Sequence, residues 1–396
     1  MKKIAIIGTV GIPPRYGGIE TLVHNITKEL KKDFLFTVYC SKETYLKYER
    51  LRFSDQTRLI YVPFRASSQR FFYDLSSILH SLFYADTLLI FGVTTGILLP
   101  FIRFFTKKKI IMNIDKLQWR RNKYGKITNC LLKFSEGIAV KFSHVNVTDN
   151  KLIKRYTTIK HKASSLLIEC GGDHTIFYGR TKKYLKKYPF LKYAYAFNVA
   201  KIVPENNIDM ILNAFSITNQ HLVLVSNWSN NKYAIRLKKS YQYYSNIHLI
   251  DPVYNQEELD GIRRNCVLYI HGNDTQRTSL SLVEAMSLGL PVVTFSTNFN
   301  KATTENSAFY FKSVEDLITI ISTVKYYNYI NNSLKMKEIA LRRYSWRLIA
   351  RKYKDLIYFL CYQHRKRSIN VDISSLKETY LQKRGLAHLK NPRAYK

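Results

Sequence analysis

A glycine-rich stretch near the start of the chain, GTVGIPPRYGGIET at residues 8–21, has the residue types of a phosphate-binding loop. It follows the apolar run KIAIIG and precedes a segment whose apolar residues recur at helical spacing, so the pattern predicts strand, loop and helix. The free N–H groups at the start of such a helix attract anions, above all phosphates. Gly17 and Gly18 would let a ligand approach the backbone, and Pro13 and Pro14 would stiffen the loop. The spacing is not G-x-G-x-x-G, so an ordinary strand–turn–helix connection remains the alternative.

A second stretch with chemical potential is TSLSLVEAMSLGLPVVTF at residues 278–295. Ser279 and Ser281 can cap a helix whose first N–H groups would bind a phosphate. Glu284 lies three residues after Ser281, so one interpretation makes it the glutamate of a capping box. A third stretch, TTENSAFYF, places Glu305 and Asn306 in a polar loop between two strand-like runs.

The elements that must position these residues alternate between strands and helices along the chain. Apolar runs such as FLFTVYC, DTLLIFG and KKKIIMNID predict strands, and Asp115 stands at the carboxyl end of the last of these. A basic, tyrosine-rich linker follows. After it the alternation of strands and helices begins again with the strand-like run YAYAFNVAKI. Such alternation predicts an α/β fold of two doubly wound domains, with a ligand site at the carboxyl ends of the strands, between the domains. We expect an N-terminal domain at 1–172, a C-terminal domain at 190–345, and a helix with a basic tail at 346–396.

Composition narrows the kind of partner. The chain has 396 residues, with 63 basic and 28 acidic side chains and a formal net charge of +35, which calls for an anionic partner such as nucleic acid, membrane lipid or a phosphorylated ligand. The five cysteines form no C-x-x-C pair, so neither disulfides nor a metal site is expected. The most apolar window, residues 87–102, is too short to span a membrane and predicts a buried strand, a loop and an apolar helix. A re-entrant or surface-docked segment is its alternative.

Several motifs, in order along the chain, resemble those of retaining glycosyltransferases of the GT-B fold in glycosyltransferase family 4. The most similar group is the bacterial rhamnosyltransferases of surface polysaccharide assembly. The resemblance covers residues 1 to about 350 and is carried by the following segments: GIPPRYGGIET, NIDKLQWRRNKYGK, LLKFSEGIAVKFS, VPENN, SLVEAMSLGLPVV and FNKATTENSAFYF. It implies two Rossmann-like domains that face each other across a cleft.

The resemblance also implies roles for individual residues. Lys201 takes the place of the cation on the donor diphosphate, and Asp115, counted with it as catalytic, would contact the acceptor or the donor sugar. Glu284 would accept hydrogen bonds from the ribose, in which case Glu284→Gln should leave folding stability nearly unchanged. The expected donor-side set is Gly17, Gly18, Lys201, Asn207, Ser281, Leu282, Glu284, Glu305 and Asn306. The expected acceptor-side set is Arg15, Tyr16, Glu20 and Trp119.

The implied reaction moves a sugar with retention from a nucleotide sugar, with dTDP-rhamnose as the expected donor, to a lipid-linked saccharide of capsule or O-antigen. No cofactor and no metal are expected, since no D-x-D pair occurs. The basic surface predicts a cytoplasmic protein that is peripheral on the anionic inner face of the membrane, with no nucleic-acid partner. The sequence departs from the family at Lys116, Gln118 and Gln276. A nucleotide-sugar epimerase of the same fold and a catalytically weak scaffold therefore remain alternatives.

Overall fold

The computed structural model describes residues 1–14, 17–114, 125–175, 182–274 and 277–362. The chain divides into two compact units. Unit 1 comprises Met1–Cys170 and Trp346–Lys396, and unit 2 comprises Gly171–Ser345. Each unit is an α/β layer structure in which helices cover a mostly parallel sheet.

Unit 1 contains eight strands: β1 (Lys2–Ile7), β2 (Phe34–Ser41), β3 (Phe53–Ser54), β4 (Thr57–Val62), β5 (Thr87–Phe91), β6 (Lys109–Ile114), β7 (Val145–Thr148) and β8 (Ser165–Leu167). Its helices are α1 (Gly18–Glu29), α2 (Arg70–Leu82), α3 (Leu99–Phe105), α4 (Lys126–Phe142), α5 (Lys151–His161) and, after unit 2, α14 (Trp346–Tyr362). The strand order is β3-β4-β2-β1-β5-β6-β7-β8, and among the described strands only β3 pairs antiparallel. The predicted strand and apolar helix in the window 87–102 are confirmed as β5 and α3.

Unit 2 contains six strands: β9 (Tyr195–Val199), β10 (His221–Val225), β11 (Ile247–Ile250), β12 (Leu268–His271), β13 (Val292–Phe295) and β14 (Phe309–Phe311). Its helices are α6 (Lys182–Lys187), α7 (Ile208–Ile217), α8 (Lys232–Tyr241), α9 (Gln256–Arg264), α10 (Leu280–Ser287), α11 (Asn298–Thr303), α12 (Val314–Thr323) and α13 (Tyr326–Arg343). All neighbouring strands are parallel, in the order β11-β10-β9-β12-β13-β14. Counted from β9, this is the 3-2-1-4-5-6 order of a Rossmann-type sheet.

The cores explain why the strands read as continuous apolar runs. In β5 all five residues are buried, as are Ile4 to Ile7 of β1, because helices cover both faces of the sheet. In unit 2 one cluster packs α10 and α13 on one face of the sheet, and a second packs α7, α8 and α12 on the other. The predicted α/β fold with two doubly wound sheets is therefore confirmed.

No helix within the described ranges is both long and apolar enough to cross a bilayer.

Candidate functional site

The strand order of unit 2 places a ligand-binding edge between β9 and β12. From β9 the chain continues to β10 and β11 on one side of the sheet, and from β12 it continues to β13 and β14 on the other side. A crevice therefore opens at the carboxyl ends of β9 and β12. Lys201 comes two residues after the end of β9, and its side chain is exposed. The sheet therefore presents a lysine at the place where doubly wound sheets bind their ligands.

Hydrogen bonds between the two loops hold this edge together. The side-chain amide of Asn207 donates to the Gly272 carbonyl at 2.8 Å, and the Asp274 N–H donates to the Glu205 carbonyl at 2.8 Å. A Cβ at Gly272 would lie 2.2 Å from the carbonyl oxygen of Asn206, so only glycine allows this approach. Asn207, predicted to bind the donor, thus joins the loop of Lys201 to the loop after β12.

The amino end of α10 lies at the same edge, because the loop after β12 leads into it. Ser279 is the N-cap, but no side chain among the described residues caps the helix, and the Ser279 and Ser281 hydroxyls are 3.1 Å apart. Leu282 is fully buried, so only its backbone could serve a ligand. The first N–H groups of α10 are thereby available for an anion such as a phosphate.

Glu284 lies in a buried ionic cluster. Its Oε2 accepts a hydrogen bond from the Arg263 guanidinium at 2.6 Å, and its Oε1 lies 3.0 Å from His174 Nε2. Asp260 is 3.6 Å from the same guanidinium. Burial alone would raise the pKa of Glu284, but Arg263 and His174 outweigh it and hold the pKa below its usual value. The capping-box interpretation is wrong, since the N-cap is Ser279 and Glu284 pairs with Arg263 instead.

Sequence reasoning missed both partners of Glu284. His174 lies two residues after Gly172. Gly172 packs closely on α10, since a Cβ on this glycine would lie 2.7 Å from the Val283 carbonyl oxygen. Arg263 comes from α9 and is 1% exposed. No spacing in the sequence marks the two residues as partners of Glu284, because Arg263 is 21 positions and His174 is 110 positions away from it. The local signal is Arg263 itself, a charged residue next to Ile262 on the buried face of α9.

Glu305 and Asn306 lie on the turn between α11 and β14. Both have a left-handed backbone, with φ values of 51° and 56°. Glu305 pairs with Arg342 at 2.6 Å and with Arg343 at 3.0 Å, which lowers its pKa although burial opposes this. The segment before them contains α11, which the sequence did not predict. The structure thus brings Lys201, Asn207, Ser281 and Leu282 to one edge, and places Glu305 and Asn306 on the turn that leads into β14.

In unit 1 the glycine-rich loop is held by its own helix. Gly17 is the N-cap of α1 with φ 136°, and a Cβ there would lie 2.1 Å from Glu20 Oε2. Glu20, predicted on the acceptor side, is 7% exposed, and its Oε1 accepts from the Thr9 hydroxyl and the Val10 N–H, each at 3.0 Å. Gly18 begins α1 as predicted. Glu20 thus fixes the loop from within, which accounts for the glycine at 17.

A second cluster in unit 1 was not predicted. Arg70 donates from Nε to Asp74 at 2.9 Å and from Nη2 to the Gly8 carbonyl, and the Thr94 hydroxyl donates to Asp74 at 2.5 Å. Asp74 is 1% exposed, and burial raises the pKa of its carboxyl although Arg70 opposes this. The cluster joins the loops after β1 and β5, where the strand order of this sheet reverses.

Four predicted site residues lie outside the described residues: Arg15, Tyr16, Asp115 and Trp119. The same holds for the three departures from the family, Lys116, Gln118 and Gln276. Within the described ranges, no three His, Cys, Asp or Glu side chains come together as metal ligands would.

The two doubly wound sheets define the chain as a protein of the GT-B fold, and comparisons with known structures agree. The sucrose-phosphate synthase of Thermosynechococcus elongatus superposes with a TM-score of 0.77 at 15% identity, over 91% of this chain and 99% of that one. Anabaena Alr3699/HepE in complex with UDP-glucose gives 0.70 at 13% identity, over 91% and 100%. WaaG, a glycosyltransferase involved in lipopolysaccharide biosynthesis, gives 0.67 at 13%, over 90% and 99%.

Two family models match the chain, one in each part of it. Residues 180–323 match the model described as glycosyl transferases group 1, so this part of the chain is a group 1 glycosyltransferase domain. Residues 1–173 match a domain of unknown function, DUF1972. No curated protein sequence matches the chain significantly.

Proposed function

We propose that the protein is a retaining glycosyltransferase that transfers rhamnose from dTDP-rhamnose to a lipid-linked saccharide in the synthesis of a bacterial surface polysaccharide. The observation that carries the proposal is the edge of unit 2, where Lys201 and the amino end of α10, which no described side chain caps, flank the reversal of strand order. A cation and helix N–H groups at one edge suit a diphosphate. The group 1 domain supports a nucleotide-sugar donor, and HepE was solved with UDP-glucose.

In the proposed reaction the acceptor oxygen bonds to the anomeric carbon while the bond from that carbon to the diphosphate breaks. The departing phosphate oxygen takes the acceptor proton on the same face of the sugar, so the chain supplies no nucleophile. Negative charge grows on the diphosphate as it leaves, and the Lys201 ammonium stabilises it together with the N–H groups at Ser281 and Leu282. Glu284 binds the ribose through the carboxylate lone pairs that Arg263 and His174 do not use. Asp115 contacts a sugar. No cofactor and no metal enter this scheme.

Product analysis tests the proposal. The protein is incubated with radiolabelled dTDP-rhamnose and a membrane extract that contains lipid-linked saccharides, and the product is recovered in the lipid fraction. We expect labelled lipid whose new glycosidic bond keeps the anomeric configuration of the donor. Release of free sugar, or of an altered nucleotide sugar without transfer, would overturn it. The second result would favour the epimerase alternative.

The proposed location is the anionic inner face of the membrane, where a lipid-linked acceptor would lie. The net charge of +35 supports electrostatic attraction, because each basic residue near such a surface contributes about 1 kcal/mol.

A further inference from the structure

Helix α3 exposes three phenylalanine side chains on one side. Phe101, Phe104 and Phe105 are 63%, 62% and 81% exposed, and they stand at i, i+3 and i+4. Leu99 and Ile102 of the same helix are buried, so the helix has a separate stripe for the core. Single exposed apolar residues are common, but three large rings on one short helix need an explanation.

Helix α4 repeats this arrangement. Ile127, Leu131 and Phe134 are 79%, 62% and 61% exposed and follow helical spacing, while Leu132, Ala139 and Val140 face the core. Cys130, the one exposed cysteine of the five, lies within the exposed stripe. The core-facing side chains of α4 therefore lie on its other side, and the exposed stripe takes no part in the core.

The two helices are fixed side by side. The rings of Phe104 and Phe142 meet edge to face with centroids 6.0 Å apart, and the Ser135 hydroxyl donates to the Val93 carbonyl just before α3. A Cβ at Gly96 would lie 2.2 Å from the Ser135 carbonyl oxygen, so the turn before α3 is seated on α4. Since the helices are in contact, we take their exposed apolar side chains together as one surface, the α3–α4 face. It comprises Phe101, Phe104, Phe105, Ile127, Leu131 and Phe134.

Basic side chains accompany the α3–α4 face, and acidic ones do not. Exposed lysines follow α3 and run along α4: Lys107, Lys126, Lys133 and Lys141. The only carboxylate on either helix is Glu136, which is buried and bonded to Tyr156 at 2.7 Å and His161 at 3.0 Å. An apolar helix surface accompanied by lysines, with no exposed carboxylate on either helix, complements the boundary between acyl chains and anionic headgroups.

We propose that the α3–α4 face inserts into the interface of an anionic lipid bilayer, with its apolar side chains among the acyl chains and its lysines at the headgroups. This deepens the proposed function, because attachment would then be apolar as well as electrostatic. The inference rests on the proposed function in one respect only, because the lipid-linked acceptor is the reason why the protein would meet a membrane. Vesicle binding requires neither donor nor acceptor, so a failure here is distinct from a failure of glycosyl transfer.

The test compares two variants of equal charge. I127E/L131E changes the α3–α4 face, and I217E/L334E places the same substitutions on residues of unit 2 that are 66% and 64% exposed. The full chain is sedimented with vesicles of phosphatidylglycerol and phosphatidylethanolamine at 0.1 and 0.5 M NaCl. We expect the parent and I217E/L334E to stay bound at 0.5 M, whereas I127E/L131E loses at least about tenfold in partitioning. Circular dichroism melts confirm that both variants fold.

Insertion is read directly at Cys130. An environment-sensitive fluorophore on this thiol should brighten and shift to the blue on vesicle binding, and brominated acyl chains should quench it. Complete release of the parent at 0.5 M NaCl, or equal losses for both variants, would overturn insertion and leave electrostatic attachment alone. A parent that is dimeric in sedimentation while I127E/L131E is monomeric would also overturn it and assign the face to a second copy of the chain.

Discussion

Lys201 is the residue on which the chemistry most depends. Its ammonium is expected to stabilise charge that appears only as the diphosphate departs, so Lys201→Ala should lower turnover by roughly 10²-fold, or about 3 kcal/mol. Lys201→Arg should retain much of the activity because it keeps the cation. Lys239→Ala, which removes an exposed lysine from α8 of the same unit, is the matched control. Steady-state transfer assays decide, and a Lys201→Ala protein as active as the control would remove Lys201 from the mechanism.

The contacts of Glu284 change what its substitution should do. A ribose role alone predicts that Glu284→Gln leaves stability nearly unchanged. The structure pairs its carboxylate with Arg263, which is 1% exposed, so the substitution removes a charge from a buried pair. We expect the free energy of unfolding to fall by about 1–3 kcal/mol.

Denaturant unfolding without ligand measures this loss, and calorimetry with the donor measures the binding role separately. If unfolding is unaltered and donor affinity falls, the ion pair carries no stability and only the ribose role survives.

At the scale of elements, Gly17 and Glu20 join the start of α1 to the loop after β1. Gly17→Ala would require a side chain at φ 136° and would push a methyl group to 2.1 Å from Glu20 Oε2. Glu20 could then no longer hold Thr9 and Val10. We expect a loss of about 1–3 kcal/mol in the free energy of unfolding. Gly125→Ala, where a Cβ would meet no atom of the described residues within 4 Å, is the control. Equal stabilities of the two variants in urea titrations would contradict this account of the loop.

Elements with a strong apolar period could be predicted from the sequence, and weakly apolar ones could not. Helix α7, at Ile208–Ile217, has such a period, and half its residues are buried. Helices α5 and α8 were missed, since each buries only two side chains and the period is too weak to see. Their signal is the N-cap instead, because Asn150 and Asn231 accept hydrogen bonds from Leu152 and Ala234 N–H groups.

For the candidate site, the sequence predicts positions along the chain but not contacts across it. Lys201 could be placed because it follows a strand. The partners of Glu284 and Glu305 could not, since ion pairs between distant elements leave no local pattern.

For the whole molecule, two buried histidines predict loss of stability in acid. Burial lowers the pKa of His144 in unit 1 and of His271 in unit 2 to about 3 each, with nearby cations contributing. The unfolded chain binds protons below about pH 6.5 and the folded chain does not, so stability is complete above that pH. It should fall by about 1.4 kcal/mol per pH unit and per histidine as the pH drops towards 3.

His144→Asn separates titration from structure. The His144 Nδ1 accepts from the Ile110 N–H at 3.0 Å, and an asparagine oxygen can take that place without titrating. Urea unfolding at pH 7.5 and pH 5 should show a smaller acid loss for His144→Asn by about 2 kcal/mol. A pH dependence identical to that of the parent would show that His144 is not a source of the acid sensitivity.

The most direct test of the central claim, that unit 2 binds a nucleotide sugar at the edge between β9 and β12, is calorimetric titration with dTDP-rhamnose. UDP-glucose is titrated in parallel, and Lys201→Ala is included with each donor. We predict saturable one-site binding of dTDP-rhamnose to the parent, little heat from UDP-glucose, and an affinity at least about tenfold lower for Lys201→Ala. Stronger binding of UDP-glucose would contradict the rhamnose assignment alone. If the folded protein binds neither nucleotide sugar, or if Lys201→Ala binds as tightly as the parent, the proposed site is wrong.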